Sequence, residues 1–401
     1  MKIGLVSYHN FVKPGGVKRH VLGLYREFKK RGIEVKIIAP RRFQKEEYRS
    51  QDFGKDIILL GTSFPLNLGG GVGDLGVVFD YFSIERLLQK EKFDILHFHN
   101  FGFPSSFQIV ERSKSLNVLT FHSDISGSEF LQKFPGPIYF LKQVLRWKMA
   151  GIIGVSSLAL TIFKNFSCSR KIIPNGIDTK EFSPTGPKVE KFQDGRINIL
   201  FLGRIEERKG LIYLLKAYKI LENKYPNLRL IIVGDGELRK ESEDWVKNNR
   251  LKEVVFEGEA SFEEVPSYYR TADIYVSPSP KGESFGIVLT EAMASGVPVV
   301  AFANQGYKEV MRGDAAKFLV PSRNSSALAK KIEIFVKDAS LREKMGQWGI
   351  REAKKYSWAG VAGEVLDFYK VCAQYKKTKK ENGNSIDKAL KSLYDRVSKW
   401  V

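Results

Sequence analysis

Short apolar runs alternate with longer stretches in which apolar residues recur every three or four positions, and the rhythm holds over most of the 401 residues. In the first half, KIGLVSY, VKIIAP, DIILLG, FDILHFH, NVLTFH and GIIGVS are apolar runs of strand length. Between the first two, VKRHVLGLYREFKKRG has helical spacing and stops at a glycine. The second half repeats the scheme with INILFLG, LRLIIVGDG, VVFEGE, ADIYVSPS and VPVVAF. Strands buried on both faces, with helices between them, make parallel doubly wound sheets. The expected fold class is α/β, with two Rossmann-like doubly wound domains at residues 1–180 and 181–360. A C-terminal helical segment with a basic amphipathic tail follows at 361–401. The polar stretch SPTGPKVEKFQDGR at 183–196 reads as the linker. Ligands of such sheets bind beyond the carboxyl ends of the strands, so the expected site is a cleft between two facing sheets.

One match misleads. GVGDLG at 71–76 fits the dinucleotide fingerprint GxGxxG, but that motif should follow the first strand and open a helix. Here it comes after the third strand and reads as a Gly-rich loop, so NAD or FAD binding is not expected. The chain has no Walker motif.

Composition narrows the class. With 43% hydrophobic and 27% charged residues the chain is of the soluble globular type, and no run of eighteen apolar residues predicts a transmembrane helix. MKIGLVSY reads as a first buried strand rather than a signal peptide. Cys168 and Cys372 form no metal-ligand spacing, and so few cysteines point to a reducing cytoplasm. The net charge of +20, most of it in residues 1–180 and the tail, suits a nucleic acid, an anionic membrane, or plain solubility.

Chemistry concentrates in GESFGIVLTEAMASGVPVV at 282–300, where Glu283 and Glu291 stand in an otherwise apolar stretch. Acids are seldom buried without a partner. Ser284, Phe285 and Gly286 open a helix whose first N–H groups, to about Ile287, form an anion seat. Glu291 then accepts the hydroxyls of a ribose and Glu283 those of a sugar. A phosphate between two diols describes a nucleotide-sugar. The plainer reading is a capping acid and a solvated helix glutamate. FLGRIEERKG sets Arg204 and Lys209 just after a strand, where two cations can clamp a diphosphate without a metal. Their alternative is a surface ion pair with Glu206 or Glu207. No Asp-x-Asp metal clip occurs, and no metal is expected. In PGGVKRH, Gly15 and Gly16 let backbone approach a ligand at a helix start. LTFHSD ends a strand with His122 facing the expected cleft. His97 and His99 share a strand face, but no third zinc ligand of suitable spacing appears, so they read as structural.

PGGVKRHV, TFHSD, IPNGID, FLGRIEERKG, IIVGDGE and the two-glutamate element together resemble the retaining family-4 glycosyltransferases of GT-B fold, over almost all of residues 1–370. Within that family the chain is most similar to phosphatidylinositol α-mannosyltransferases, which act on a lipid at the cytoplasmic membrane face with GDP-mannose. The resemblance implies that Arg204 and Lys209 hold the diphosphate, Glu291 the ribose, and Glu283, Ser284, Phe285, Gly286 and Ile287 the sugar and phosphates. It places Gly15 and Gly16 at a phosphate, the segment from Phe256 through Gly258 and Ala260 to Ser261 at the base, and His122 between donor sugar and acceptor. The nucleotide-sugar is a substrate, so no cofactor is implied.

The chain departs from that pattern at the acceptor. NLGGGVGDLG lacks the family's arginine, His9 stands where those enzymes carry a tyrosine, and FSIERLLQKEKF mixes both signs of charge. The tail SIDKALKSLYDRVSKWV, after KKTKK at 376–380, has one apolar helical face and a basic remainder. It suits either an anionic bilayer or packing on the body. The resulting expectation is a hexosyltransferase peripheral to the inner face of the membrane, acting on a lipid acceptor, with a soluble or polysaccharide acceptor and UDP-sugar donor as the alternative. A nucleic-acid partner is not expected, because basic and aromatic residues are not interleaved and the two glutamates would go unexplained. The oligomeric state is left open.

Overall fold

The computed structural model describes residues 1–9, 11, 15–42, 54–68, 71–101, 104–122 and 135–381. The chain divides into two compact units, one formed by 1–174 with 361–401 and the other by 175–360.

The first unit contains an eight-stranded sheet: β1 (Lys2–Ser7), β2 (Glu34–Arg42), β3 (Ile57–Leu68), β4 (Gly71–Val77), β5 (Ile95–His99), β6 (Leu116–Phe121), β7 (Gly151–Gly154) and β8 (Ser169–Ile172). Their order across the sheet is β4-β3-β2-β1-β5-β6-β7-β8, parallel except for the antiparallel β3–β4 pair. The central strands are buried almost throughout, as unbroken apolar runs require. The glycine-rich 71–76 segment is not a loop. It forms β4, paired with β3 from Leu68↔Gly71 to Thr62↔Val77, and seven consecutive pairs outweigh the poor strand propensity of its glycines.

The second unit contains β9 (Ile197–Leu202), β10 (Leu228–Val233), β11 (Val254–Gly258), β12 (Ile274–Ser277), β13 (Val299–Phe302) and β14 (Leu319–Val320), all parallel, in the order β11-β10-β9-β12-β13-β14. The polar stretch 183–196 packs on this unit. Phe192 is buried, the Arg270 guanidinium donates to the carbonyls of Glu181, Ser183 and Pro187, and Arg229 pairs with Asp194.

The last described helix, Trp358–Glu381, lies with the first unit from residue 361 onward. Val361, Val365, Phe368, Tyr369 and Cys372 recur at helical spacing and are buried. Its end carries the first lysines of the basic run, and Lys376 Nζ donates to the carbonyls of Lys114 and Ser115 at 3.3 and 2.9 Å. The rest of the expected amphipathic tail, 382–401, lies outside the described residues. Two parallel-sheet α/β domains with a helical C-terminus are the architecture that the hydrophobic pattern predicts.

Candidate functional site

Each sheet reverses its strand order once. In the second unit the reversal falls between β9 and β12, and in the first between β1 and β5. Loops leaving two such strands run in opposite directions and open a crevice at the carboxyl ends, the usual ligand position in an open α/β sheet.

At the β9–β12 reversal, Arg204 follows β9 directly, with its side chain 55% exposed and Nη1 3.2 Å from Glu206. Glu206 also holds Arg208 at 2.9 Å. Arg204 is therefore paired as the plainer reading expected, while most of its side chain still faces solvent. Lys209 closes the 3-10 turn Glu207–Lys209 and reaches across the reversal to Glu283, Nζ to Oε1 2.7 Å. Arg208 approaches the same oxygen at 3.4 Å, and Ser279 Oγ donates to it at 3.3 Å. Burial alone would raise the Glu283 pKa, but the Lys209 and Arg208 cations, with hydrogen bonds from Lys209 and Ser279, outweigh it and hold the carboxyl below its ordinary range.

Beyond Glu283 the chain turns into the helix Ile287–Ala294 through Gly286, whose φ of 94° lies in the left-handed region. A Cβ there would come within 2.6 Å of the Tyr307 ring, so only glycine fits this helix start. Phe285 is buried against Tyr356, while Ser284 and Ile287 remain partly open. Glu291 lies one turn in and is only 2% exposed, with Tyr269 O–H donating to Oε2 at 3.0 Å. Glu291 thus rests on an aromatic floor. Tyr269 meets Tyr275 edge-on at 5.3 Å, and Tyr307 O–H lies 2.6 Å from Ser277 Oγ. Burial, then the glutamate charges, push the Tyr275 and Tyr307 phenols well up, so both stay protonated.

The β10 and β11 ends supply backbone rather than side chains. A Cβ on Gly234, φ 136°, would lie 2.0 Å from the Gly203 carbonyl oxygen, so the loops after β9 and β10 touch main chain to main chain. Gly234 N–H donates to the Gly258 carbonyl at 2.6 Å. Ala260 is partly open and Ser261 exposed, its N–H donating to Glu264 at the start of the next short helix.

In the first unit, Gly15 stands at the head of the helix Gly16–Lys30, and a Cβ on Gly15 or Gly16 would meet nothing within 4 Å among the described residues. His9 lies just past β1, its N–H 3.2 Å from Ser7 Oγ and its ring 3.9 Å from that of Tyr8. His122 leaves β6 with its N–H donating to Asn100 Oδ1 at 2.7 Å. His97 and His99 are buried on one face of β5, and His97 bridges Tyr369 O–H and Thr120 Oγ1. His20 and His122 join them, so the third ring missing from the local sequence arrives through the fold. Burial, then neighbouring imidazoles, hold His97 and His99 far below their ordinary pKa.

Arg208, Ser279, Tyr269, Tyr275, Tyr307 and Asn100 had no sequence signal of their own. The nearest hint was the tyrosines in buried strand and helix patterns, since a buried phenol needs a polar partner.

Two families match the chain. Glycosyltransferase Family 4 covers residues 14–181 and Glycosyl transferases group 1 covers residues 183–352. The phosphatidyl-myo-inositol mannosyltransferase of Mycobacterium leprae is 33% identical over 386 residues, 93% of this chain and 97% of its own. That of Mycolicibacterium smegmatis is 31% identical over 377 residues, 92% and 93% of the two chains. Among solved structures, Anabaena HepE in complex with UDP superposes with a TM-score of 0.74 at 19% identity, over 92% of this chain and 100% of that one. Sucrose-phosphate synthase from Thermosynechococcus elongatus gives 0.73 at 21% identity, over 92% and 98%. With this fold and these matches, the chain belongs to the GT-B glycosyltransferases, joining a family 4 domain to a group 1 domain.

Proposed function

We propose that this hexosyltransferase moves mannose from GDP-mannose, with retention of configuration, onto a phosphatidylinositol-type lipid while peripherally bound to an anionic membrane surface. The observation that carries the transfer chemistry is the Lys209–Glu283 link across the β9–β12 reversal, with Arg204 beside it. The mannosyl-lipid assignment draws on relatives named phosphatidyl-myo-inositol mannosyltransferase.

In this reading Arg204 and Lys209 bind the diphosphate and offset the charge that grows on the leaving group. Ser284, Phe285, Gly286 and Ile287 present backbone to the phosphates, Glu283 accepts from the sugar hydroxyls, and Glu291 accepts from the ribose. Gly258, Ala260 and Ser261 flank the base, and Gly15 and Gly16 approach a phosphate. His122 meets donor sugar and acceptor, and His9 lies on the acceptor side. With both glutamates committed to hydroxyls, no covalent sugar ester forms. The acceptor oxygen bonds to the anomeric carbon on the face the diphosphate leaves, the carbon–phosphate-oxygen bond breaks, and the acceptor proton passes to that oxygen.

A thermal-shift panel of GDP-, UDP- and ADP-sugars tests the donor, because a ligand stabilises by its affinity. GDP-mannose should give the largest shift, and Arg204→Ala or Glu291→Ala should remove it. A larger UDP-sugar shift would favour the alternative donor, which the UDP-bound fold neighbour also suggests. Transfer of labelled mannose to phosphatidylinositol vesicles, but not to soluble sugars, checks the acceptor. No helix among the described residues is long and apolar enough to cross a membrane, so vesicle flotation with and without 382–401 checks attachment.

A further inference from the structure

Four of the chain's five histidines meet at the carboxyl ends of β5 and β6, more imidazole than the proposed transfer uses. His97 is committed, with Nδ1 2.7 Å from Tyr369 O–H and Nε2 2.6 Å from Thr120 Oγ1. The other three differ. One ring nitrogen from each of His20, His99 and His122 lies within 4.8 Å of the other two. His20 and His99 are buried, whereas His122 is partly open.

Imidazoles around a tetrahedral zinc-like ion sit about 2.0–2.1 Å from it, which sets their nitrogens roughly 3.3 Å apart. Nδ1 of His99 and Nε2 of His122 are already 3.5 Å apart. The third ring therefore needs to close by at most about 1.5 Å from the 4.8 Å bound, a movement of the side chain about its torsions. Three neutral nitrogen donors with no carboxylate select a borderline transition metal over magnesium or calcium. The partly open His122 side leaves a fourth position accessible, as in three-histidine zinc sites.

We infer that His20, His99 and His122 form a site for one divalent transition-metal ion of the zinc class, and that the ion inhibits transfer by engaging His122. The inhibition rests on the role proposed above for His122, but the binding does not.

The test is a titration of metal-free full-length protein with Co2+, read by visible absorption and by equilibrium dialysis. One equivalent should bind with the bands of a four-coordinate ion, and Zn2+ should displace it. His122→Ala, just past the carboxyl end of β6, and His99→Ala should each lose saturable binding, and a thermal melt shows whether they fold. His9→Ala should keep it. Absence of saturable Co2+ binding, or bands that survive His122→Ala, would mean that the rings are a hydrogen-bonded cluster and overturn the site. Stoichiometric binding with unchanged mannosyl transfer would leave the site standing and remove His122 from the reaction.

Discussion

Glu283 accepts from Lys209, Arg208 and Ser279 together, so its charge is in place before any ligand arrives. Glu283→Gln keeps the shape and removes the charge, and should lower transfer by about 100-fold or more, the scale of losing one positioned polar group at a reacting centre. Its effect on stability should depend on pH with a definite sign. A carboxyl whose folded pKa lies below its unfolded one stabilises while ionised, and loses that contribution as pH falls through the folded value. The wild type should therefore melt above Glu283→Gln at pH 7, and the gap should close on acidification below the ordinary carboxylate range. A gap that widens in acid would show that the cations do not hold this carboxyl down. Tyr269→Phe is the companion test: it leaves Glu291 short of a donor at a buried oxygen, for a cost of about 1–3 kcal/mol by chemical denaturation. Glu283, Glu291 and Lys209 were legible because acids inside an apolar run, and cations singled out just after a buried strand, are exceptions to burial rules, whereas Arg208 was not singled out. Tyr269 and Ser279 were not, because a tyrosine in a helix or a serine in a loop breaks no rule until the fold sets it beside a carboxylate.

At the scale of elements, the pattern of apolar runs located eleven strands and, among the described residues, missed β4, β8 and β14, each for a physical reason. β4 is glycine-rich and is held by its pairing with β3, β8 reads SRKI at a sheet edge, and β14 has only two residues. Edge strands need no continuous apolar face, so they leave a weak signal. The histidine cluster escaped the sequence for a related reason, since its rings come from a helix, from β5 and from just past the end of β6, at separated places in the chain. The C-terminal helix offers an element-scale prediction. It lies so close to β7 that a Cβ on Gly151 would come 2.1 Å from Cys372 Sγ and 2.8 Å from the Phe368 ring. Cys372 is packed as an inert thiol there, with burial and then the neighbouring Cys168 pushing its pKa to about 12. Gly151→Ala should overpack this contact and cost about 1–3 kcal/mol, and Cys372→Ala in the same chain should restore part of it. Additive losses in a urea-denaturation cycle would mean that the two sites do not meet.

At the scale of the whole molecule, the order of the chain and the order of packing differ. Residues 175–360 are continuous and bring their own sheet, the Lys209–Glu283 link and the Glu291 floor, whereas the first unit is completed only when 361 onward returns to it. Trp358 belongs to the second unit, where its ring fills the space that a Cβ on Gly176 would need. A cut after residue 360 therefore removes little from one unit and strips the other of Val361, Val365, Phe368 and Tyr369, all buried. Losing even one such side chain costs about 2–5 kcal/mol, against a typical domain stability of about 5–15 kcal/mol. The fragment 175–360 should thus be expressed as a folded domain with one cooperative melt and should still be stabilised by the preferred nucleoside diphosphate. The fragment 1–174 should be unfolded or molten and should recover cooperativity when 361–401 is supplied in the same cell. Because the two units have separate cores, the intact chain should also depart from two-state melting, with the nucleotide raising the transition that matches the isolated 175–360 fragment. A stable, cooperative 1–174 fragment would show that the returning helix is an ornament on the first sheet rather than part of its core.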